Sequence, residues 1–232
     1  MYRSRTDKVT GFRVYKDAEA VAEAVADYLF DRINACVIEK DICHVLLPGG
    51  TTPARCMDLL AEKPLSWDRI HWYPGDERCY PKGHAERNDV MIYQHLFSRP
   101  DSVVENFHPI PAELGAEQAA DKYRAFFDHI RSIDIAVLGM GEDGHTASLF
   151  PGNPALDSND SIVAVHDSPK PPDDRVSFGL QTLRYAGESI LIATGSNKRE
   201  AIAKLESGEP IPVTMIEPDV CFLDTAAAGQ LS

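Results

Sequence analysis

The sequence predicts an α/β fold, with a doubly wound, mostly parallel sheet and helices on both faces. Three observations predict it. Four short segments are near-continuous in apolar residues, segments of helical periodicity separate them, and glycine- and proline-rich turns follow directly after the first three. A strand that alternates apolar and polar residues has one wet face. A strand that is apolar throughout is covered on both, as parallel strands flanked by helices are.

The elements follow in order. A first strand begins by about Phe12. Val21, Val25, Leu29, Ile33 and Val37 recur at i, i+4, which places them on one face of a long helix with Asp17 as its N-cap. The buried strands are residues 43–47, 69–73, 134–139 and 189–194, and 220–224 is the last strand. Helical patterns cover residues 54–60, 89–97, 117–130 and 198–206. No repeat, low-complexity stretch or linker interrupts this order, so residues 1–232 are expected to form one domain.

Composition narrows the function. The chain has 232 residues, 44% of them hydrophobic, which is enough for a sizeable core. Its net charge of -13 argues against nucleic acid or an anionic membrane surface as partner, since both demand clustered positive charge. No apolar run approaches the roughly 20 residues of a membrane span. The first fifteen residues are charged and lack the apolar core of a secretory signal. Cys36, Cys43, Cys56, Cys79 and Cys221 are odd in number and show no CxxC spacing, so neither a disulfide framework nor a zinc knuckle is expected. A reducing cytoplasm is the expected setting.

In open α/β sheets ligands sit beyond the carboxyl ends of the strands, where three glycine-bearing loops are expected to converge. The first runs Pro48-Gly49-Gly50-Thr51-Thr52-Pro53. Its glycines allow close backbone approach, and its hydroxyls and helix-start N–H groups suit an anion, although a tight capped turn has the same signature. It is neither a Walker loop nor GxGxxG, so no nucleotide cofactor is implied. The second carries Asp76, Glu77 and Arg78, with Arg87 and Asn88 just beyond. Taken alone, it is an ordinary surface ion pair. The third, residues 138–151, is the densest. Gly139, Gly141 and Gly144 surround His145, the residue type whose ordinary pKa suits acid–base work near neutrality. Asp143 has two readings, orienting the imidazole or stabilising the turn, and the turn is favoured. Lys198 ends a Thr194-Gly195-Ser196-Asn197 turn, and Arg175 follows a proline pair. Alone, each is a solvated surface cation. The other seven histidines have no HxxxH spacing, so no metal is expected.

Together these elements resemble the 6-phosphogluconolactonase family, which shares its fold with the glucosamine-6-phosphate deaminase/isomerases. The resemblance covers nearly the whole chain. It rests on the Gly50-Thr51-Thr52-Pro53 loop, Asp76-Glu77-Arg78 with Asn88, and the Leu138–Pro151 run with its Asp143-Gly144-His145-Thr146-Ala147-Ser148 stretch. Arg175-Val176-Ser177, Thr194-Gly195 with Lys198, and Leu223-Asp224 complete it. It implies a deaminase/isomerase-like, modified Rossmann fold and hydrolysis of 6-phosphogluconolactone in the oxidative pentose phosphate pathway, with no cofactor. It implies His145 as general base and Arg78 in the active site. Gly49, Gly50, Thr51, Thr52, Asp76, Asn88, Gly144, Arg175 and Lys198 are implied to bind substrate, with Arg175 and Lys198 as cations for the phosphate. The expected partner is a small sugar-phosphate lactone, and the expected assembly a monomer or small homo-oligomer.

Departures from the family pattern are Thr51 for a common serine, Ser177-Phe178 for Thr-Leu, and Arg184 for an asparagine. Two rivals remain, a sugar-phosphate isomerase or deaminase and a non-catalytic sugar-phosphate sensor. The related deaminases carry a glutamate where this chain has Phe150, which cannot transfer a proton. A sensor normally carries a DNA-binding helical domain, which a strand starting by Phe12 leaves no room for.

Overall fold

The computed structural model describes residues 11–99, 102–130, 132–229 and 231. Residues 1–10 of the charged N-terminal stretch lie outside the described residues. The chain runs β1 (Phe12–Tyr15), α1 (Ala18–Lys40), β2 (Cys43–Leu47), α2 (Thr51–Ala61), β3 (Ile70–Pro74), β4 (Asp76–Arg78) and α3 (Asn88–Leu96). It continues through α4 (Ala116–Phe127), β5 (Ile135–Gly139), β6 (Ile162–Val165), β7 (Arg175–Phe178), α5 (Leu180–Arg184) and β8 (Glu188–Ala193). It ends with α6 (Arg199–Ser207), α7 (Pro212–Ile216), β9 (Val220–Asp224) and α8 (Thr225–Ala228).

Six strands form one sheet in the order β1-β9-β8-β5-β2-β3, every neighbouring pair parallel. Successive side chains of a strand point to opposite faces. Val45, Leu47, Ile135, Val137, Ile190, Ile192 and Phe222 join one core with α1, α2 and α3. Leu46, Ala136, Leu138, Leu191, Ala193 and Leu223 join the other with α4, α6 and α7. Both faces are therefore dry, which is why these strands read as near-continuous apolar runs. Asp17 caps α1 by accepting the amide of Ala20 at 2.9 Å.

The chain goes outward from β2 to β3, then crosses back so that β5 lies on the other side of β2. This reversal opens a crevice between the loops that follow β2 and β5, the usual place for a ligand in such sheets. The two loops touch: a Cβ added at Gly139 would sit 3.8 Å from the Gly49 carbonyl oxygen.

Two expectations need correction. The charged loop after β3 contains a strand, β4, in a separate three-stranded antiparallel sheet ordered β4-β7-β6. That sheet packs Ile162, Val163, Val165, Val176 and Phe178 against the α4 side of the core. Arg175, read alone as a surface cation, stands in β7 opposite Arg78 and is only 6% exposed.

Candidate active site

The loop after β5 is built around His145. Asp143 Oδ1 accepts both the backbone N–H of His145, at 3.1 Å, and the ring Nδ1, at 2.5 Å. The favoured turn role is thus half the answer, because one oxygen shapes the turn and orients the imidazole. Burial pushes the Asp143 carboxyl up, but the His145 backbone bond and the charge and bond of the ring outweigh it, holding Asp143 below its usual range. An ionised carboxylate only accepts, so the ring proton belongs on Nδ1 and the Nε2 lone pair is left for chemistry. Burial lowers the His145 pKa below its ordinary 6.5. Asp143 and Asp76 oppose that shift, and the Lys198 charge adds to it. The ring lies 4.5 Å, centroid to centroid, from buried Phe150.

Gly141 makes this arrangement possible. A Cβ there would lie 2.1 Å from His145 Cε1 and Nδ1, and 2.7 Å from Asp143 Oδ1. The ring fills the space a side chain would take. Gly144 has φ +84, and a Cβ would come within 2.5 Å of Ile211. Its carbonyl accepts Val213 N–H, so this glycine docks the loop on α7.

Around β4 the acidic residues are engaged within the protein. Asp76 Oδ2 accepts Ser148 Oγ at 2.5 Å, and Oδ1 accepts Asn88 Nδ2 at 3.0 Å. Asn88 Oδ1 fits against Gly49, where a Cβ would stand 2.3 Å away. Gly49 thus admits a neighbouring side chain, a reason the sequence alone did not suggest. Glu77 is fully buried and accepts the backbone N–H of Arg78, Asn88 and Asp89. Burial, and secondarily the Asp89 charge, push its pKa up to about 7. This carboxylate ties β4 to the start of α3 and fixes the backbone on both sides of the site. Buried Arg87 holds the same corner through Asp89, Glu113 and the carbonyls of Tyr80 and Ile110.

The cations are placed differently. Arg78 Nη1 donates to the Glu86 carbonyl at 2.6 Å, whereas its Nε is buried with no hydrogen-bond partner. Arg175 lies over the Phe150 ring at 5.7 Å, and its Nε and Nη2 donate to the carbonyls of Pro172, Lys170 and Pro171. Lys198 lies in a short turn before α6, where burial lowers its pKa and the charges of Glu142 and Asp143 oppose that shift. Arg184 pairs instead with Glu217.

The loop after β2 starts α2 with Gly50 as N-cap, at φ 110, and no side-chain cap. Pro53 has no N–H, so the opening turn offers the amides of Thr51 and Thr52. Thr52 Oγ1 meets Thr194 Oγ1 at 2.7 Å, which joins this loop to the end of β8 and the Lys198 turn. Gly195 N–H is held by Asp224. Thus Gly49, Gly50, Thr52, Asp76, Asn88, Gly144, His145 and the Lys198 turn line one rim. Gly141, Ser148, Thr194 and Glu77 belong there too; the sequence named them within their motifs but gave them no role of their own. The glycine spacing around His145 was the available signal for Gly141.

Comparison with known proteins places this fold in a family. The family described as glucosamine-6-phosphate isomerases/6-phosphogluconolactonase matches residues 16–223. The 6-phosphogluconolactonase of Homo sapiens is 40% identical over 245 residues, covering 94% of this chain and 93% of that relative. That of Streptomyces coelicolor is 33% identical over 243 residues, covering 94% and 93%. A crystal structure of 6-phosphogluconolactonase from Thermotoga maritima matches with a TM-score of 0.86 at 27% identity, over 93% of this chain and 99% of that one. The mostly parallel, deaminase/isomerase-like fold is thereby borne out, and the chain belongs to the glucosamine-6-phosphate isomerase/6-phosphogluconolactonase family.

Proposed function

We propose that this chain hydrolyses 6-phospho-D-glucono-1,5-lactone to 6-phospho-D-gluconate, the lactone-opening step of the oxidative pentose phosphate pathway. The carrying observation is His145, ring proton fixed by Asp143, lying at the crevice between β2 and β5. Its relatives at 30–40% identity carry the name of this activity. Neutral His145 takes a proton through Nε2 from a water as that water attacks the lactone carbonyl. The carbonyl oxygen becomes an oxyanion, and donors already in place stabilise it. Arg78 suits that role as a partly exposed guanidinium in β4. The bond from the carbonyl carbon to the ring oxygen then breaks, and the imidazolium returns its proton to that oxygen. No step requires a cofactor.

The phosphate fits the uncapped start of α2, with Thr51 and Thr52, and the Lys198 turn that Thr194 joins to it. Arg175 adds positive charge but keeps two nitrogens on main-chain carbonyls, so Nη1 is its free donor. Phe150 supports hydrolysis over deamination, since a phenyl ring beside the base moves no proton. The reading extends to residues 1–232 acting as one unit, in the cytoplasm, as a monomer or small homo-oligomer. Among the described residues, no helix is long and apolar enough to cross a membrane.

The test is lactone hydrolysis measured above the spontaneous rate, with and without His145→Ala. A general base contributes about 10²–10⁴-fold, so kcat is expected to fall by that order while the fold survives. A folded His145→Ala enzyme with near-normal turnover removes His145 from the mechanism.

A further inference from the structure

We propose that Cys36, Cys43 and Asp134 bind one thiophilic divalent cation of the Zn²⁺ class, at the rim of the sheet opposite the catalytic loops. The two sulfurs and a carboxylate oxygen of Asp134 lie within 4.8 Å of one another. Sequence spacing hides this group, because six residues separate the cysteines and Asp134 is remote. The fold assembles it. Cys36 is near the end of α1, Cys43 opens β2, and Asp134 immediately precedes β5, the neighbour of β2. Cys43 stands four residues before the end of β2, roughly 13 Å along the strand from the catalytic rim.

The donor set and its surroundings suit such an ion. Zinc takes thiolate sulfur at about 2.3 Å and carboxylate oxygen at about 2.0–2.2 Å, so tetrahedral donors sit roughly 3.4–3.8 Å apart. The observed group, within 4.8 Å, needs to close by at most about 1–1.4 Å on that basis. Cys36 is only partly buried, four residues before the end of its helix. The carboxylate is already oriented: Lys40 Nζ donates to Oδ1 at 2.6 Å, and the His44 N–H donates to Oδ2 at 2.8 Å. Hydrogen-bonded partners of this kind hold a ligating carboxylate in its working orientation. Charge also balances. Two thiolates and one carboxylate carry three negative charges, which a dication and the Lys40 ammonium neutralise. Binding replaces two S–H protons by two metal–sulfur bonds and releases both protons to solvent, with no change of oxidation state. Lys40, which pairs with Asp134, is half-exposed, so the group lies close to the surface.

A Cys36–Cys43 disulfide is the rival use of the same pair. A metal ion and a disulfide use the same two sulfurs and exclude each other, and the carboxylate of Asp134 beside them is a donor that only the metal uses.

The experiment titrates the full chain, stripped by chelation and kept reduced, with Co²⁺ as spectroscopic probe. One equivalent is expected to give a near-ultraviolet thiolate-to-cobalt band, which one equivalent of Zn²⁺ abolishes. Cys36→Ser is expected to lose that band while lactone hydrolysis stays at wild-type rate. Hydrolysis is also expected to survive exhaustive chelation, because the site is remote from His145. Absence of the band, or an undiminished band in Cys36→Ser, overturns the proposal. So does a Cys36–Cys43 disulfide that forms in air and is unaffected by stoichiometric Zn²⁺.

Discussion

Replacing Gly141 by alanine tests the site geometry more sharply than removing the base. Gly141 has no positive φ, so its backbone accepts alanine without strain. The added Cβ falls 2.1 Å from the His145 ring, against an ordinary contact of 3.4 Å or more. The imidazole must therefore retreat by roughly 1.3 Å, or the loop must open, and Asp143 Oδ1 at 2.7 Å blocks one direction of escape. A misplacement of about 1 Å costs on the order of 10²-fold in rate. Gly141→Ala should lower kcat by about that factor, with a smaller change in KM, because the phosphate contacts lie elsewhere. Gly139→Ala is the control, since its Cβ meets only ordinary contacts at 3.8 Å. The assay is steady-state hydrolysis corrected for the spontaneous reaction, with circular dichroism confirming the fold. The double variant Gly141→Ala/His145→Ala should be little slower than His145→Ala alone, because both changes disable one device. A folded Gly141→Ala enzyme within about threefold of wild type, where 1 Å should cost ~10², would refute the inferred position of the ring.

Three further outcomes follow from the same geometry, and a fourth from a histidine pair elsewhere in the fold. The acid limb of kcat/KM should fall below pH 6.5, since burial depresses His145 and the base works only when neutral; a limb at or above 6.5 contradicts that burial. Lys198→Ala should weaken the phosphorylated lactone about tenfold or more, at ~1.4 kcal/mol per decade, and barely affect a lactone without phosphate. Arg175→Ala should impair both substrates, because its guanidinium also supports Phe150 and the carbonyls of residues 170–172; a purely phosphate-dependent effect would deny that second role. Finally, His71 Nδ1 meets His108 Nε2 at 2.8 Å, and burial, then the charges of His71 and His44, depress His108 to about 4. Its folded pKa lies below the unfolded 6.5, so the unfolded chain takes up the proton first and stability is lost as pH falls through that window. His108→Asn should flatten the decline in Tm between pH 6.5 and about 4, and an unchanged slope removes His108 as its source.

The parallel sheet was legible because both of its faces are dry. Residues 43–47 and 220–224 are near-continuous apolar runs, broken only by His44 and the terminal Asp224, and form β2 and β9 with those bounds. The second sheet was not legible, for physical reasons visible at β4. Asp76-Glu77-Arg78 has the composition of a surface turn, yet the first two side chains are buried. What makes burial tolerable is a set of donors distant in sequence: Asn88, Ser148 and the amides at the start of α3. No local pattern reports partners 11 to 72 residues away. The same holds within the site. His145 announced itself by residue type and glycine setting, whereas the reason for Gly49 is Asn88, and that contact exists only once the chain has folded.

These satisfied carboxylates also explain how a chain of net charge -13 can hold a phosphorylated substrate. Asp76, Asp143 and Glu77 all lie on or just behind the catalytic rim, and free carboxylates there would repel a dianion. Each is engaged within the protein instead. Asp76 is held by Asn88 and Ser148, Asp143 by His145, and Glu77 by three backbone amides. A hydrogen-bonded carboxylate presents fewer lone pairs outward, and its charge is partly offset by the donors around it. Lys198 is treated in the opposite way, with no carboxylate within ion-pair distance among the described residues, whereas Arg78 and Arg175 each spend donors on main-chain carbonyls. Charge-assisted hydrogen bonds contribute roughly 1.5–3 kcal/mol each, so a few such donors outweigh a screened, distant field. On the proposed site, selectivity for an anionic lactone rests on which donors are left unsatisfied at the rim, and the overall charge has little part in it.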